Sequence, residues 1–314
     1  MPIEQKIQED VDLKPMTTFK IGGRAKLFID VAEKNELEEA MEWARKNKID
    51  YFILAGGSNV LINSDGVDGL VIKLNNKEIK VLGERMECGA GAEFGKAVNT
   101  ATSTALSGLE WAVGIPGAVG GAIRGNAGAY GGSISDSVET IEVYDLAKKR
   151  FVIFSKNDCQ FGYRDSIIKQ NKKLIIWQAT LRLSKMDGRK VIEKASENLM
   201  ARQSSQPKLP SAGCIFKNPE IAVIKEASQY LAKEAEKNGV VRNGKVGAGW
   251  IIKELGFGGK KQGGAKVSLE HTNFIVNTGN ATAGDVAILI SFIKQRARTM
   301  FNLELHEEIE YLGF

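Results

Sequence analysis

The chain has 314 residues, more than one domain usually holds, and its 43% hydrophobic and 26% charged side chains are the balance of a globular protein with a sizeable core. Six prolines, no low-complexity tract and no apolar run near the roughly 20 residues of a membrane span argue against a disordered or membrane-bound chain. The net charge of +5 is spread out, and its densest clusters (Lys169 to Lys173, Lys260-Lys261) lack aromatic interleaving, so a phosphate-bearing small substrate accounts for it as well as nucleic acid does.

Met1 to Gln5 lacks the basic-then-apolar plan of a signal peptide, which makes the cytoplasm the expected compartment. Leu27 to Val31 reads as a strand, and Leu37, Ala40, Met41 and Ala44 set a helix near 33–47. The apolar runs Tyr51 to Leu54 and Val60 to Ile62 flank Gly56-Gly57-Ser58-Asn59. This turn has neither the G-x-G-x-x-G of a dinucleotide fold nor the G-K-[ST] of a P-loop. Its consecutive N–H groups suit a pyrophosphate nest, and a plain hairpin turn explains them equally well. Strands are expected at 70–74 and 79–82 and a helix over 93–104.

Nine glycines then fall between Gly108 and Gly132, where the chain-wide frequency gives about 3. Glycine is hard to order, so such a cluster implies close backbone approach to a large ligand, with bare N–H groups facing anionic oxygens. Tight turns in an irregular domain are the alternative. Val138 to Tyr144 alternates as a half-buried strand does, and strands at 151–154 and 174–183 complete a strand-rich α+β region. Phe161 to Ser166 between them reads as a polar turn.

Asp187-Gly188 marks a break, placing a domain boundary near 186. A helical face at Val191, Ala195 and Leu199, an irregular 206–219, a helix over 224–237 and a Gly/Lys-rich loop over 256–266 follow. His271 to Asn277 reads as a buried strand. A helix over 283–300 has Thr282 as N-cap and Asp285 at the third position. In the last strand Leu303, Leu305, Ile309 and Tyr311 face one way and Glu304, His306, Glu308 and Glu310 the other; periodicity alone makes those acids a solvated face. Cys88, Cys159 and Cys214 lie far apart with no C-x-x-C, and the two histidines, His271 and His306, are too few for a histidine-based metal centre. No metal is expected.

Several stretches together resemble one family, the UDP-N-acetylenolpyruvoylglucosamine reductases, or MurB flavoenzymes. They are T-T-F-K-I-G-G-R-A (17–25), A-G-G-S-N-V-L-I (55–62), G-I-P-G-A-V-G-G-A-I-R-G-N-A-G-A-Y-G-G (114–132) and F-G-Y-R-D-S (161–166). P-S-A-G-C-I-F-K-N-P (210–219), G-A-G-W-I-I-K-E-L-G (247–256), G-G-A-K-V-S (263–268) and H-T-N-F-I-V-N (271–277) continue the match. The chain resembles the shorter subtype. The resemblance implies an α+β fold: a FAD-binding domain of the vanillyl-alcohol-oxidase (PCMH) type over 1–185, a smaller substrate domain over 186–300, and a C-terminal strand, 301–314, returning toward the first domain. It implies NADPH as hydride donor, a UDP-sugar as small-molecule substrate, no obligate protein partner, and reduction of an enolpyruvyl ether to a lactyl ether.

For the cofactor, the resemblance implies Gly56, Gly57, Ser58 and Asn59, then Ile115, Pro116, Gly117, Gly120, Gly121, Gly125, Asn126, Ala127 and Gly128. With no histidine before His271, the FAD is expected to be non-covalent. Hydride addition to the enolpyruvyl methylene leaves charge that spreads into the carboxylate, which calls for a fixed cation and a nearby acid. Arg164 matches the family's carboxylate-polarising arginine, suited by its permanent charge and planar fork. Glu308 matches the glutamate that assists it. Cys214 stands where many relatives have serine as proton donor; a thiol, with a reference pKa near ~8.5, is a better acid than an alcohol. Tyr130, Tyr163, Arg202, Lys217 and Asn218 are the expected substrate contacts.

Overall fold

Leu37, Ala40, Met41 and Ala44 are buried along the helix Lys34–Asn47, which starts at a capping box between Glu33 and Glu36 and stops at left-handed Lys48. The computed structural model describes residues 2–314. The helix belongs to the first of two compact units, which gathers Met1–Val11, Ala25–Gly57 and Val67–Ser204. One sheet of this unit runs Gln8–Asp12, Arg24–Val31, Val67–Leu74, Tyr51–Leu54, with Val67–Leu74 parallel to both its neighbours. Leu70, Val71 and Ile72 are buried in succession, as a strand covered on both faces requires. The other sheet is antiparallel, in the order Arg150–Ser155, Val138–Asp145, Leu174–Arg182, Arg85–Gly89, Ile79–Leu82.

The second unit gathers Asp12–Arg24, Ser58–Gly66 and Ser205–Phe314. Its antiparallel sheet runs Ser211–Cys214, Phe274–Asn277, Ala265–Val267, Lys261–Gln262. Phe19, Ile21 and Leu61 from the early segments share a core with Ile215, Phe216, Ile251 and Ile290. The strand Glu310–Leu312 pairs in parallel with Val60–Ile62. Among the described residues no helix is long and apolar enough to cross a membrane.

The units do not divide at 186. The helix Gly188–Ser205 packs on the first unit, where Asn198 donates to the Glu110 carbonyl (3.1 Å) and Arg202 Nε to that of Val113 (3.0 Å), so the change falls at Ser204/Ser205. The helix expected over 224–237 is two, Ile221–Ala227 and Gln229–Lys237. Ser228 leaves helical geometry and its hydroxyl accepts from the Leu231 N–H. The expected 256–266 loop contains a short hairpin, Lys261–Gln262 with Ala265–Val267. Residues 303–309 bury Leu303, Leu305 and Ile309, but regular pairing of the last strand covers only Glu310–Leu312, and Tyr311 is exposed.

The helix Ala283–Phe301 starts as expected. The Thr282 hydroxyl accepts from Asp285 N–H, and the Asp285 carboxylate accepts from the N–H groups of Thr282 and Gly264. These donors, the Thr282 N–H first, hold the Asp285 carboxyl below its ordinary range. The stability it contributes is therefore present above the unfolded-state pKa of ~3.9 and is lost as pH falls through the lower folded value. Replacing Asp285 with Ala should remove about 1 kcal/mol at pH 7, and urea melts repeated at falling pH should show parent and variant converging.

Candidate active site

Gly108 organises the entry to the glycine cluster. Its N–H donates to the Glu110 carboxylate (2.9 Å), and its carbonyl accepts from Trp111 Nε1 (3.1 Å) and the Ser137 hydroxyl (3.3 Å). Glu110 is 2% exposed; burial alone would raise its carboxyl, but hydrogen bonds from Ser107 and Gly108 hold it below the usual range. Trp111 in turn lies against Gly132, where an added Cβ would sit 2.5 Å from its ring. A Cβ on Gly56 would overlap Gly117 and Ala118, and one on Gly120 would come within 2.8 Å of the Ala90 side chain. Those glycines are explained by chain packing on chain.

Gly121 is different. It lies inside the helix Val119–Arg124, is exposed, and has nothing within 4 Å of the place a Cβ would take. No packing demand accounts for a glycine in this helix. Gly121→Ala should therefore raise thermal stability by roughly 0.5–1 kcal/mol while weakening flavin retention; Gly132→Ala should lower stability against Trp111. Equal melting temperatures with undiminished flavin content in Gly121→Ala would count against a flavin contact at Gly121.

The N–H groups of Ile115, Gly120, Gly125 and Ala127 donate within the protein, to the carbonyls of Ala112, Ala90, Gly121 and Ala122. These positions thus do not present the bare donors expected from the glycine count. Gly117 (φ +113°) turns the chain after Ile115-Pro116, and its carbonyl accepts from Phe94 N–H.

Arg164 sits at φ +55°, a left-handed position that an arginine adopts at a cost of about 1–2 kcal/mol. Its guanidinium donates to the carbonyls of Gly128 (2.7 Å) and Asn126 (3.3 Å). Asn126 returns a bond to the Gly162 carbonyl (2.8 Å), and the Ser166 hydroxyl donates to the Arg124 carbonyl (2.7 Å). The Y-R-D-S turn is thereby laced to the glycine cluster. Asn126 and Tyr130 are also left-handed, at φ +40° and +50°, so three expected site residues share this strained geometry. Asp165 accepts from Gln170 (2.7 Å) and from Ser166 N–H (2.9 Å). Tyr163 lies beneath the Arg164 guanidinium (5.6 Å to the ring centre), and Tyr130 beneath that of Arg202 (5.5 Å).

In the second unit, Cys214 ends the strand Ser211–Cys214 opposite Phe274, after an irregular step with Gly213 at φ +78°. The Ser211 hydroxyl accepts from Gly213 N–H (3.4 Å), holding it within its own turn. Beyond Cys214 the chain pairs with the segment carrying Glu308: Glu308 N–H donates to the Ile215 carbonyl (2.7 Å) and Lys217 N–H to that of His306 (2.9 Å). The Asn59 side chain donates to the Glu308 carbonyl (3.0 Å), while the Asn59 carbonyl accepts from Glu310 N–H (2.9 Å). Asn59, expected on the cofactor, thus also tethers the segment carrying Glu308. Neighbouring acids are engaged elsewhere, Glu307 with Lys294 (2.9 Å) and Glu304 with Arg298 (3.7 Å). The Asn218 side-chain oxygen accepts from Ala248 N–H (2.9 Å) at the start of the helix Ala248–Glu254, so it has a structural duty as well.

Two residues were not singled out from the sequence. Asn273 and Asn277, both buried, use their side chains on backbone groups: Asn273 on Phe216, Asn277 on Phe19 and Lys20. Only their place in H-T-N-F-I-V-N hinted at them. Cys88 and Cys159 are buried, with thiols pushed up to about 12 and about 11 by desolvation; Cys214 is the partly exposed cysteine.

A FAD binding domain matches residues 25–152, and the C-terminal domain of UDP-N-acetylenolpyruvoylglucosamine reductase matches residues 205–312. Together they define the chain as an α+β flavoprotein of the oxidoreductase class. It belongs to the UDP-N-acetylenolpyruvoylglucosamine reductase family. The family's protein from Solibacter usitatus is 35% identical over 308 residues, covering 98% of this chain and 97% of that one. That from Synechococcus sp. is 36% identical over 318 aligned positions, covering 100% and 96%. The crystal structure of the Thermus caldophilus protein superposes with a TM-score of 0.78 at 33% identity, over 98% and 99% of the two chains.

Proposed function

We propose that this protein reduces the enolpyruvyl ether of UDP-N-acetylglucosamine enolpyruvate to the lactyl ether of UDP-N-acetylmuramate, with non-covalent FAD and NADPH, in peptidoglycan precursor synthesis. The observation that carries it is membership of one reductase family over 98% of the chain, through both the flavin and the C-terminal halves. The residues present fit FAD: the exposed face at Gly121 leaves room that a side chain would fill. When bound, FAD supplies the two-electron carrier between NADPH and the substrate double bond.

The chain's own residues do the rest. The Arg164 guanidinium holds the substrate carboxylate as a fork and draws the charge that develops when hydride reaches the methylene carbon. Glu308 orients that carboxylate with Arg164. The Cys214 thiol gives its proton to the adjacent carbon, so that hydride and proton together convert the C=C into two C–H bonds. Tyr130, Tyr163, Arg202, Lys217 and Asn218 contact the UDP-sugar. We place flavin binding in the first unit, which runs on to Ser204, and the C-terminal segment supplies Glu308. The protein works in the cytoplasm on a small-molecule substrate and needs no nucleic acid, membrane or obligate protein partner.

Purified protein should be yellow, should bleach anaerobically with NADPH, and should regain colour only when the enolpyruvyl substrate is added. Colour that returns without substrate, or a colourless protein that retains DNA, contradicts the proposal.

A further inference from the structure

Asn273 is 2% exposed, and both ends of its amide bind one residue: Oδ1 accepts from Phe216 N–H (2.9 Å) and Nδ2 donates to the Phe216 carbonyl (2.8 Å). An N–H can only donate and a C=O only accept, so the amide orientation is fixed by its partners. The Asn273 carbonyl also accepts from Ile215 N–H (2.8 Å). The strand Phe274–Asn277 pairs with Cys214 through Phe274, but at His271 the chain turns away, with Phe274 N–H donating to the His271 carbonyl (2.8 Å). The Asn273 side chain stands in for the missing strand residue and continues the pairing to Phe216.

Phe216 is fully buried, so its two backbone groups would otherwise be orphaned. On the opposite edge the same short stretch bridges Glu307, with Glu308 N–H on the Ile215 carbonyl and Lys217 N–H on that of His306. One residue thereby fixes the stretch that directly follows Cys214 and that pairs with the segment carrying Glu308.

We infer that Asn273 is the positioning residue for proton delivery: it holds Cys214 in register with the Glu308 segment without touching substrate. The inference rests on the reading of Cys214 as proton donor, and the test separates the two. Stopped-flow absorbance of the flavin-loaded protein reads bleaching by NADPH and colour recovery with the enolpyruvyl substrate separately. Asn273→Ala should bleach within about twofold of the parent and recover colour ~10- to 100-fold more slowly, the loss expected for a displaced catalytic group. Combined with Cys214→Ala, it should slow recovery no further.

If Asn273→Ala does not fold, Asn273→Asp keeps the acceptor for Phe216 N–H and regains a donor when its carboxyl is protonated. Its recovery rate should then rise relative to the parent's as pH is lowered. Equal slowing of both phases, unchanged recovery, an additive loss in the double variant, or an Asn273→Asp profile parallel to the parent's overturns the inference. Normal recovery in Cys214→Ala alone overturns the reading of Cys214 instead.

Discussion

Cys214→Ala should still bleach with NADPH at the parent rate but regain colour with substrate ~10²- to 10⁴-fold more slowly, the usual worth of a positioned general acid. Cys214→Ser should recover colour within about tenfold of the parent, because a hydroxyl can occupy the same place and also carry a proton. The contrast between the two variants isolates proton delivery, since alanine and serine differ little in volume. It also tests the nearest alternative, the Ser211 hydroxyl, which accepts from Gly213 N–H and is untouched by either substitution. Cys88→Ala and Cys159→Ala should leave both phases alone, as both thiols are buried in the first unit's core. Unimpaired recovery in Cys214→Ala would rule the thiol out as donor.

Arg164→Lys should lower the substrate-dependent step by ~10²- to 10³-fold at saturating substrate, the range for losing one preorganised charge contact. Lysine keeps the positive charge but not the fork, and it cannot reach Gly128 and Asn126 with two nitrogens as Arg164 does. Arg164→Ala should do more, since it also releases the Y-R-D-S turn from the glycine cluster and so should lower flavin content on purification. Flavin retention, read from visible absorbance per protein, separates that structural loss from the chemical one. A lysine variant with the parent turnover would remove Arg164 from the chemistry.

The sequence was most legible where local rules decide. The helix cap at Thr282 and Asp285, the helix face at Leu37 to Ala44 and the alternation of Val138 to Tyr144 depend on neighbours a few residues away. The glycine cluster was legible as a unit but not glycine by glycine. Whether Gly132 faces Trp111 or Gly121 faces open space is a tertiary fact, and so is the helix Val119–Arg124, which glycine content argued against. The break at Ser228 went unseen because a serine inside an apolar period can point either to solvent or back to the backbone. The family resemblance, and not local pattern, singled out Arg164, Cys214 and Glu308. What it could not carry was their support: the left-handed φ of Arg164, the Asn59 tether and the Asn273 clamp are set by pairings across the fold.

The pairing of Glu310–Leu312 with Val60–Ile62 makes the birth of this protein slow in a particular way. The neighbouring bond from the Asn63 side chain to the Gly313 carbonyl closes over 250 residues. At the usual 5–20 residues per second, a ribosome needs roughly 12 to 50 s to cover that distance. Through all of it the apolar Val60–Ile62 edge waits without its strand partner, while the local pairs of the first unit, such as Val138–Asp145 with Arg150–Ser155, can already close. An unpaired apolar strand is a template for association between nascent chains. Yield of soluble protein should therefore depend more on the pace of synthesis and on chaperone cover than on the final stability of either unit.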